Sequence, residues 1–359
     1  MRFIKLPIHV ALATILCVST SISVNALVHP SCVVQKIVEK QLDKPLVKAE
    51  TAEVTPKISV EKPTINFEHK ETLKKQTKEH RKFIYQTLIQ SGVPKQIAKY
   101  AFKLNFIERP TIESKNQAES VSTIDSYTKK FLNRLPRAVE FLNENSIHLS
   151  AAEKKYSVDK EAIVSLILIE SNLGENKGKL NIMDALFTMS HPYNSTRNKF
   201  FTNELIAAFK LLSSEKHYFR NNLMGSWAGA MGFTQFIPSS VLAYAVDGDA
   251  DGKIDIINSK IDAIYSAANY LAQAKWAFNK SIMKEISKDE LQNIDLCKTL
   301  GESFQDGTLF LAQITPDERY FITYNNYQTI IKWNRSFVFA YTVHLLSSEL
   351  KKQQQASAK

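Results

Sequence analysis

Cysteine, clustered histidine and long repeats are all scarce in this 359-residue chain. The three cysteines, Cys17, Cys32 and Cys297, stand far apart, with no neighbours that suggest a nucleophile. The eight histidines are scattered and form no His-Glu-x-x-His or Cys-His spacing, which argues against a transition-metal enzyme. No G-x-S-x-G or Walker sequence occurs, no internal repeat is visible, and no nucleic-acid recognition motif appears. Glycine is also rare, at ten residues, but seven of them lie between Gly174 and Gly252. Glycine permits positive φ and close backbone approach, so this clustering predicts tight loops in one part of the chain.

With 44% hydrophobic and 23% charged residues, the chain has the composition of a globular protein with an ample core. Residues 1–26 carry Arg2 and Lys5, then an apolar stretch, then Val24-Asn25-Ala26. This is the pattern of a secretory signal, too short in its apolar part for a membrane span, with an uncleaved anchor as the alternative. Lipidation is disfavoured: Cys17 follows the large Leu16, and Cys32 has His29 three positions before it. Export leaves Cys32 and Cys297 in an oxidising compartment where one disulfide can form, although Cys32 lies in a spacer. The net charge of +10 becomes +8 once Arg2 and Lys5 leave with the signal, and a basic exported protein suits an anionic partner. Residues 27–80 are rich in Lys, Glu, Thr and Pro and are expected to be a disordered spacer. Helical periodicity begins at about residue 81, with breaks expected at Ser91-Gly92, Pro94 and Pro136. It returns over 276–350, and residues 351–359 read as a frayed tail.

Three stretches carry chemistry. In "IVSLILIESNLG", residues 163–174, an aliphatic run ends at Glu170. Ser157 is expected to cap this helix, with Asp159 in its first turn, and Asn172 and Gly174 to end it. Glu170 then sits beside a dry wall and the negative end of the helix dipole; both oppose ionisation and favour a carboxyl group that can donate its proton. The second stretch, "GSWAGAMGFTQFIPSS" (225–240), interleaves small residues with Trp227, Met231, Phe233 and Phe236. It fits either close helix packing or the wall of a sugar groove, with Ser226 and Gln235 as polar contacts. In the third, Asp247, Asp249 and Asp251 with Gly252 match positions 1, 3, 5 and 6 of a calcium loop. Lys253 offers its carbonyl at position 7, and Asp255 stands at 9. Asn258 replaces the bidentate Glu at 12, leaving Asp262 to close a longer loop.

Taken in order with "NIMDALFTMS", "DAIYSAANYLAQAKW" and "YNNYQTIIKWNRSFVFAYTVHLLSSEL", these stretches resemble the membrane-bound lytic murein transglycosylase B family over about residues 125–350, and more weakly back to 81. The resemblance implies a mainly α protein: a lysozyme-like α+β catalytic core with a small β element and helical N- and C-terminal parts around a glycan groove. It implies cleavage of the β-1,4 bond between N-acetylmuramic acid and N-acetylglucosamine in peptidoglycan, leaving 1,6-anhydromuramoyl ends. The catalytic acid falls on Glu170, and substrate contacts fall on Ser226, Gln235, Arg197, Tyr270 and Asn334. The calcium loop falls on Asp247, Asp249, Asp251 and Lys253, closing at Asp262. Trp333, added to the substrate contacts, departs from the family's usual Tyr; Phe339 also stands where a Tyr is common, and Thr196-Arg197 replaces paired arginines.

The expected organisation is therefore a signal (1–26), a spacer (27–80), a catalytic region (81–350, core 150–275, metal loop 247–262) and a tail (351–359). Glu170 is expected to act first as acid and then as base, because Glu175 and Asp184, the next carboxylates after it in sequence, lack motif support as its partner. A muramidase-type hydrolase and a weakly catalytic wall-binding scaffold are the rival readings. A monomer is expected, exported to the periplasm of a Gram-negative bacterium, acting on peptidoglycan glycan strands, with structural calcium and no organic cofactor. Membrane association and other cell-wall enzymes as partners stay open.

Overall fold

A helix that is apolar on nearly every side must be enclosed, and the fold is arranged around one. The structure, a computed structural model, describes residues 67–108, 123–214, 223–287, 289–290 and 319–357, which all lie in one compact unit. The proposed signal, most of the spacer and all three cysteines fall outside the described residues. The N-terminal part runs through α1 (Phe67–Gln90), α2 (Lys95–Ala98), a 3-10 turn (Lys99–Lys103), α3 (Ile124–Leu132), α4 (Leu135–Glu144) and α5 (Ser146–Tyr156). Next come α6 (Lys160–Ser171), β1 (Leu180–Asn181), α7 (Ile182–Ser190), α8 (Asn198–Ser213), β2 (Met224–Gly225), α9 (Pro238–Tyr244) and α10 (Lys260–Gln273). The chain closes with β3 (Met283–Ile286), β4 (Tyr320–Thr323), α11 (Asn325–Trp333) and α12 (Phe337–Ser357). The mainly α class with a small β element is what the residues form.

Helix α6 buries every residue from Glu161 to Leu168. Four helices pack on it: α4, α5, α10 and α12. Each fully buried Leu or Ile contributes on the order of 1.5–3 kcal/mol relative to exposure. Ser165, the one polar interruption, is satisfied twice: its hydroxyl bonds the Glu161 carbonyl at 2.7 Å and meets Ser347 Oγ at 3.1 Å. Buried Glu204 on α8 likewise finds partners, accepting from the Ser239 N–H and hydroxyl at the start of α9. Burial pushes its carboxyl up, and those two bonds oppose the shift.

The expected breaks are present. Helix α1 ends at Gln90 and α2 begins after Pro94, while Pro136 sits in the first turn of α4, where its missing N–H has no intrahelical role. Four local expectations are corrected. Helix α1 starts at Phe67, so the last part of the expected spacer is helical and His80 is a core residue, 6% exposed. Helix α12 continues to Ser357, so the expected tail is helical for most of its length. Asp159, not Ser157, is the N-cap of α6; Ser157 ends α5 in the left-handed conformation at φ 52°. Asp159 leaves the helix start uncapped by its side chain and instead accepts from Trp276 Nε1 at 2.8 Å and the Asn279 N–H at 3.1 Å. Lastly, the 276–350 region contains an antiparallel pair, β3 with β4, registered Met283 to Thr323 and Ile286 to Tyr320.

His80 packs against Phe187 and His191, both with ring centroids 4.8 Å away, and its Nε2 lies 2.8 Å from Ser190 Oγ. Desolvation, with His191 adding to it, holds the imidazole down at about 4, against 6.5 for a free side chain. A depressed histidine contributes stability above its unfolded value and loses it as pH falls through the folded one. The Tm of the protein is therefore expected to drop as pH falls from 6.5 to 4. His80→Gln, which cannot ionise, is expected to flatten that slope in pH-resolved calorimetry; an equally steep slope in the variant would rule out His80 as a source.

Candidate active site

The last turn of α6 is held by an elbow of three left-handed residues. Asn172, Leu173 and Gly174 take φ values of 52°, 60° and 91°, and reverse the chain directly after Glu170-Ser171. Glycine is required at the third: a Cβ there would lie 2.1 Å from the Phe233 ring. Ser171 locks the elbow, because its hydroxyl bonds the Phe233 carbonyl at 2.7 Å and accepts the Gly174 N–H at 2.9 Å. Asn172 is gripped from α4 and its approach: Arg134 and Arg137 each donate to its Oδ1, at 3.1 and 3.3 Å. The Asn172 amide donates to Glu175, which also forms an ion pair with Arg137. None of these clamping residues was singled out as a site residue from sequence, although the Asn-x-Gly ending was a visible stop signal.

Glu170 is half-buried, and its Oε1 accepts the indole N–H of Trp333 at 2.8 Å. Trp333, the last residue of α11, is itself enclosed by rings. Tyr270 on α10 meets it edge-on at 4.8 Å between centroids, and Phe236 leans on it at 5.1 Å. Tyr244 in turn abuts Tyr270 at 4.6 Å. Burial, with Tyr244 alongside, pushes the Tyr270 hydroxyl up to about 12, so it stays a neutral phenol across the physiological range. Phe236, read from sequence as an aromatic of a possible groove wall, belongs to this wall; Tyr244 belongs to it too and was not singled out in the sequence.

The small-residue segment after β2 is a set of tight turns against this wall rather than a helix. Gly225 pairs with Leu180 in the β1–β2 ladder, and Met231 bridges Phe236. A Cβ at Gly232, where φ is 73°, would meet the Ile256 carbonyl oxygen at 2.2 Å. Ser226 and Gln235 are partly buried here, and the hydrogen bonds they make are local except for one from the Gln235 amide to the Lys177 carbonyl at 3.4 Å. Ser226 Oγ accepts the N–H groups of Ala228 and Ala230 at 3.3 and 3.2 Å. Gln235, itself at φ 48°, donates its amide to the Gly232 carbonyl at 2.9 Å. Asn334 similarly spends its Oδ1 on the Ser336 N–H at 3.0 Å, turning the chain into α12. Arg197 is exposed, its guanidinium 4.4 Å above the Phe200 ring. Glu170, Trp333 and Tyr270 are thus brought into one cluster, while Ser226, Gln235 and Asn334 shape the backbone near it. A cavity of about 480 Å³ opens beside the elbow, lined in part by Arg137, Leu173, Glu175 and Phe233.

The acidic loop ends against α10. Oxygens of Asp247, Asp249 and Asp262 lie within 4.8 Å of one another. Three carboxylates at that spacing form an all-oxygen donor set that suits a hard cation. Asp262 is 1% exposed and accepts the N–H groups of Gly248 (2.8 Å) and Asp255 (2.6 Å). Burial pushes its carboxyl up, those two bonds oppose the shift, and Asp249 and Asp247 add to it. Asp251 stands outside this group; its Oδ1 accepts the Lys253 N–H at 2.8 Å. Asp255 serves as a turn residue for Ile257 and Asn258. The cluster is coupled to the site, since the Phe233 N–H bonds the Ile256 carbonyl at 3.1 Å and Lys177 Nζ bonds that of Ile257 at 2.8 Å.

Comparison with known proteins bears on the same region. The family model described as "Transglycosylase SLT domain" matches residues 75–348. The chain is 32% identical over 236 residues to membrane-bound lytic murein transglycosylase B of Escherichia coli (strain K12). That match covers 60% of this chain and 64% of the relative, slightly under two thirds of its length. Among solved structures, SltB3 of Pseudomonas aeruginosa in complex with NAG-anhNAM-pentapeptide is 26% identical, with a TM-score of 0.66 over 77% of this chain and 79% of that one. The Escherichia coli lytic transglycosylase Slt35 in complex with calcium is 25% identical, with a TM-score of 0.63 over 76% and 93%. A match across most of the described residues, with the acid-bearing helix and the acidic loop inside it, shows that the chain belongs to the transglycosylase SLT domain family.

Proposed function

We propose that the protein is a peptidoglycan lytic transglycosylase in which Glu170 works alone, as acid and then as base. The observation that carries this reading is the fate of the two carboxylates that follow Glu170 in the chain. Glu175 is bound by Arg137 and Asn172, and Asp184 accepts the Asn105 N–H at 2.9 Å. Neither is held as the second carboxylate that hydrolysis by two acids requires. Glu170 protonates the glycosidic oxygen between N-acetylmuramic acid and N-acetylglucosamine as the C1–O bond breaks. The substrate's N-acetyl group offsets the positive charge at C1. Ionised Glu170 then takes the proton of the C6 hydroxyl as that oxygen closes on C1, giving a 1,6-anhydro end without water. General acid and base help of this kind is worth about 10²–10⁴-fold. The family membership and the relatives named as lytic transglycosylases support the substrate class.

Calcium is proposed as a structural ion held by Asp247, Asp249 and Asp262, with the Lys253 carbonyl as a further donor. Its chemistry is charge neutralisation, which relieves the repulsion around buried Asp262. The calcium complex of Slt35 supports the choice of ion. Residues 1–26 are proposed as an export signal delivering a monomeric enzyme to the periplasm. Among the described residues no helix is long and apolar enough to cross a membrane.

Glu170→Gln is expected to abolish release of muropeptides from purified sacculi while leaving Tm within about 2 °C of the wild type. Mass spectrometry of the wild-type products is expected to show anhydro ends, lighter by one water than hydrolysed ends; hydrolysed ends would favour a muramidase. For the metal, calcium is expected to raise Tm by several degrees, and a chelator to remove the gain. Exposed Asp249→Ala should lose this response. A wild-type Tm indifferent to chelator counts against an occupied site.

A further inference from the structure

Trp333 was expected to touch substrate, yet its one polar atom is already committed to Glu170. We propose that Trp333 is a positioning residue that assigns the working proton of Glu170 to Oε2. This rests on the reading of Glu170 as acid and base. Indole Nε1–H is a donor with no acceptor capacity, so at 2.8 Å it must point at a lone pair of Oε1. A carbonyl oxygen accepts such a bond far better than a carboxylic O–H oxygen. Oε1 is therefore the carbonyl oxygen of the protonated acid, and Oε2 carries the proton. Oε2–H gives that proton to the glycosidic oxygen as the C1–O bond pair moves onto it. Oε2 later takes the C6 hydroxyl proton as the O6–C1 bond forms.

The assignment needs an indole that cannot swing away. Tyr270 stands edge-on to it, Phe236 is tilted against it, and Tyr270 and Phe236 also meet each other at 5.8 Å. The backbone that carries the carboxylate is also held, since Ser171, the next residue, ties the end of α6 to the Phe233 carbonyl. The ends of α6 and α11 are thus joined by a hydrogen bond between residues 163 positions apart.

The test is Trp333→Phe beside Trp333→Tyr, assayed on a soluble NAG–NAM oligomer. The reactive form is the protonated acid, so rate falls on the basic side of the profile. Losing the donor should move that limb upward by roughly half to one pH unit, following the loss of a hydrogen bond to the charged form. Turnover should fall about 10²-fold as the acid loses its aim. Trp333→Tyr, which restores an O–H donor, should move the limb back toward the wild type. Direct titration of the Glu170 carboxyl by 13C NMR, assigned by difference from Glu170→Gln, reads the same shift without turnover. An unshifted titration in Trp333→Phe, with only KM raised, would overturn the proposal and leave Trp333 a sugar contact. Failure of the underlying reading looks different: Glu170→Gln would stay active while the NMR shift persisted.

Discussion

The structure depends on the enclosure of α6. Its residues from Glu161 to Leu168 are buried on all sides, so the helix is stable only when other helices surround it. Four helices drawn from both ends of the described chain do so. Beyond Lys160 at its start, the part of α6 that approaches solvent is the last turn, where Ile169 and Glu170 are half-buried. A carboxylate at the end of such a helix is carried on a backbone of fixed position. The burial of α6 supplies that position, and the left-handed elbow after Ser171 prevents the helix from continuing past it.

The glycine-rich turns and the acidic loop serve the same end from the opposite side. The Phe233 ring at Gly174 and backbone atoms at Gly178, Gly225 and Gly232 come too close for a side chain there, so the 225–236 segment lies against the elbow and against residues 256–257. Ser226 and Gln235, which look from their types like hands for a sugar, first hold these turns together. The acidic loop continues the chain from this wall into α10, where Ser259 caps the helix and Asp262 receives two loop N–H groups. The same helix carries Tyr270, whose ring meets Trp333.

The polar groups inside the core follow one rule: each is matched before it is buried. Glu204 has the two Ser239 donors, Ser165 has Glu161 and Ser347, and His80 has Ser190. Among the described residues, only the hydroxyls of Thr234 and Thr323 are fully buried without a partner. An unmatched buried polar group costs about 1–3 kcal/mol, which is why such exceptions are few.

Much of the plan was legible in the sequence where local physics decides it. The breaks at Ser91-Gly92, Pro94 and Pro136, the all-apolar α6 with its acid at the end, and the spacing of Asp247 and Asp249 each follow from one residue's conformational limits or from short periodicity. Singling out Glu170 as the candidate acid needed the order of several motifs together. Other features were decided only by tertiary structure. His80 sits in a Lys- and Glu-rich stretch and gives no local sign of burial, because its partners are Phe187, Ser190 and His191 in a distant helix and loop. Asp159 became the cap of α6 because Trp276 and Asn279 hold its side chain, and β3–β4 exists through pairing alone, in a stretch whose local pattern suggested helix. The meeting of Trp333 with Glu170 is the clearest case. The sequence alone fixed that an acid would end a dry helix. Which oxygen of that acid receives a hydrogen bond depends on how α11 packs against α6, and no local pattern encodes an angle between two helices 163 residues apart.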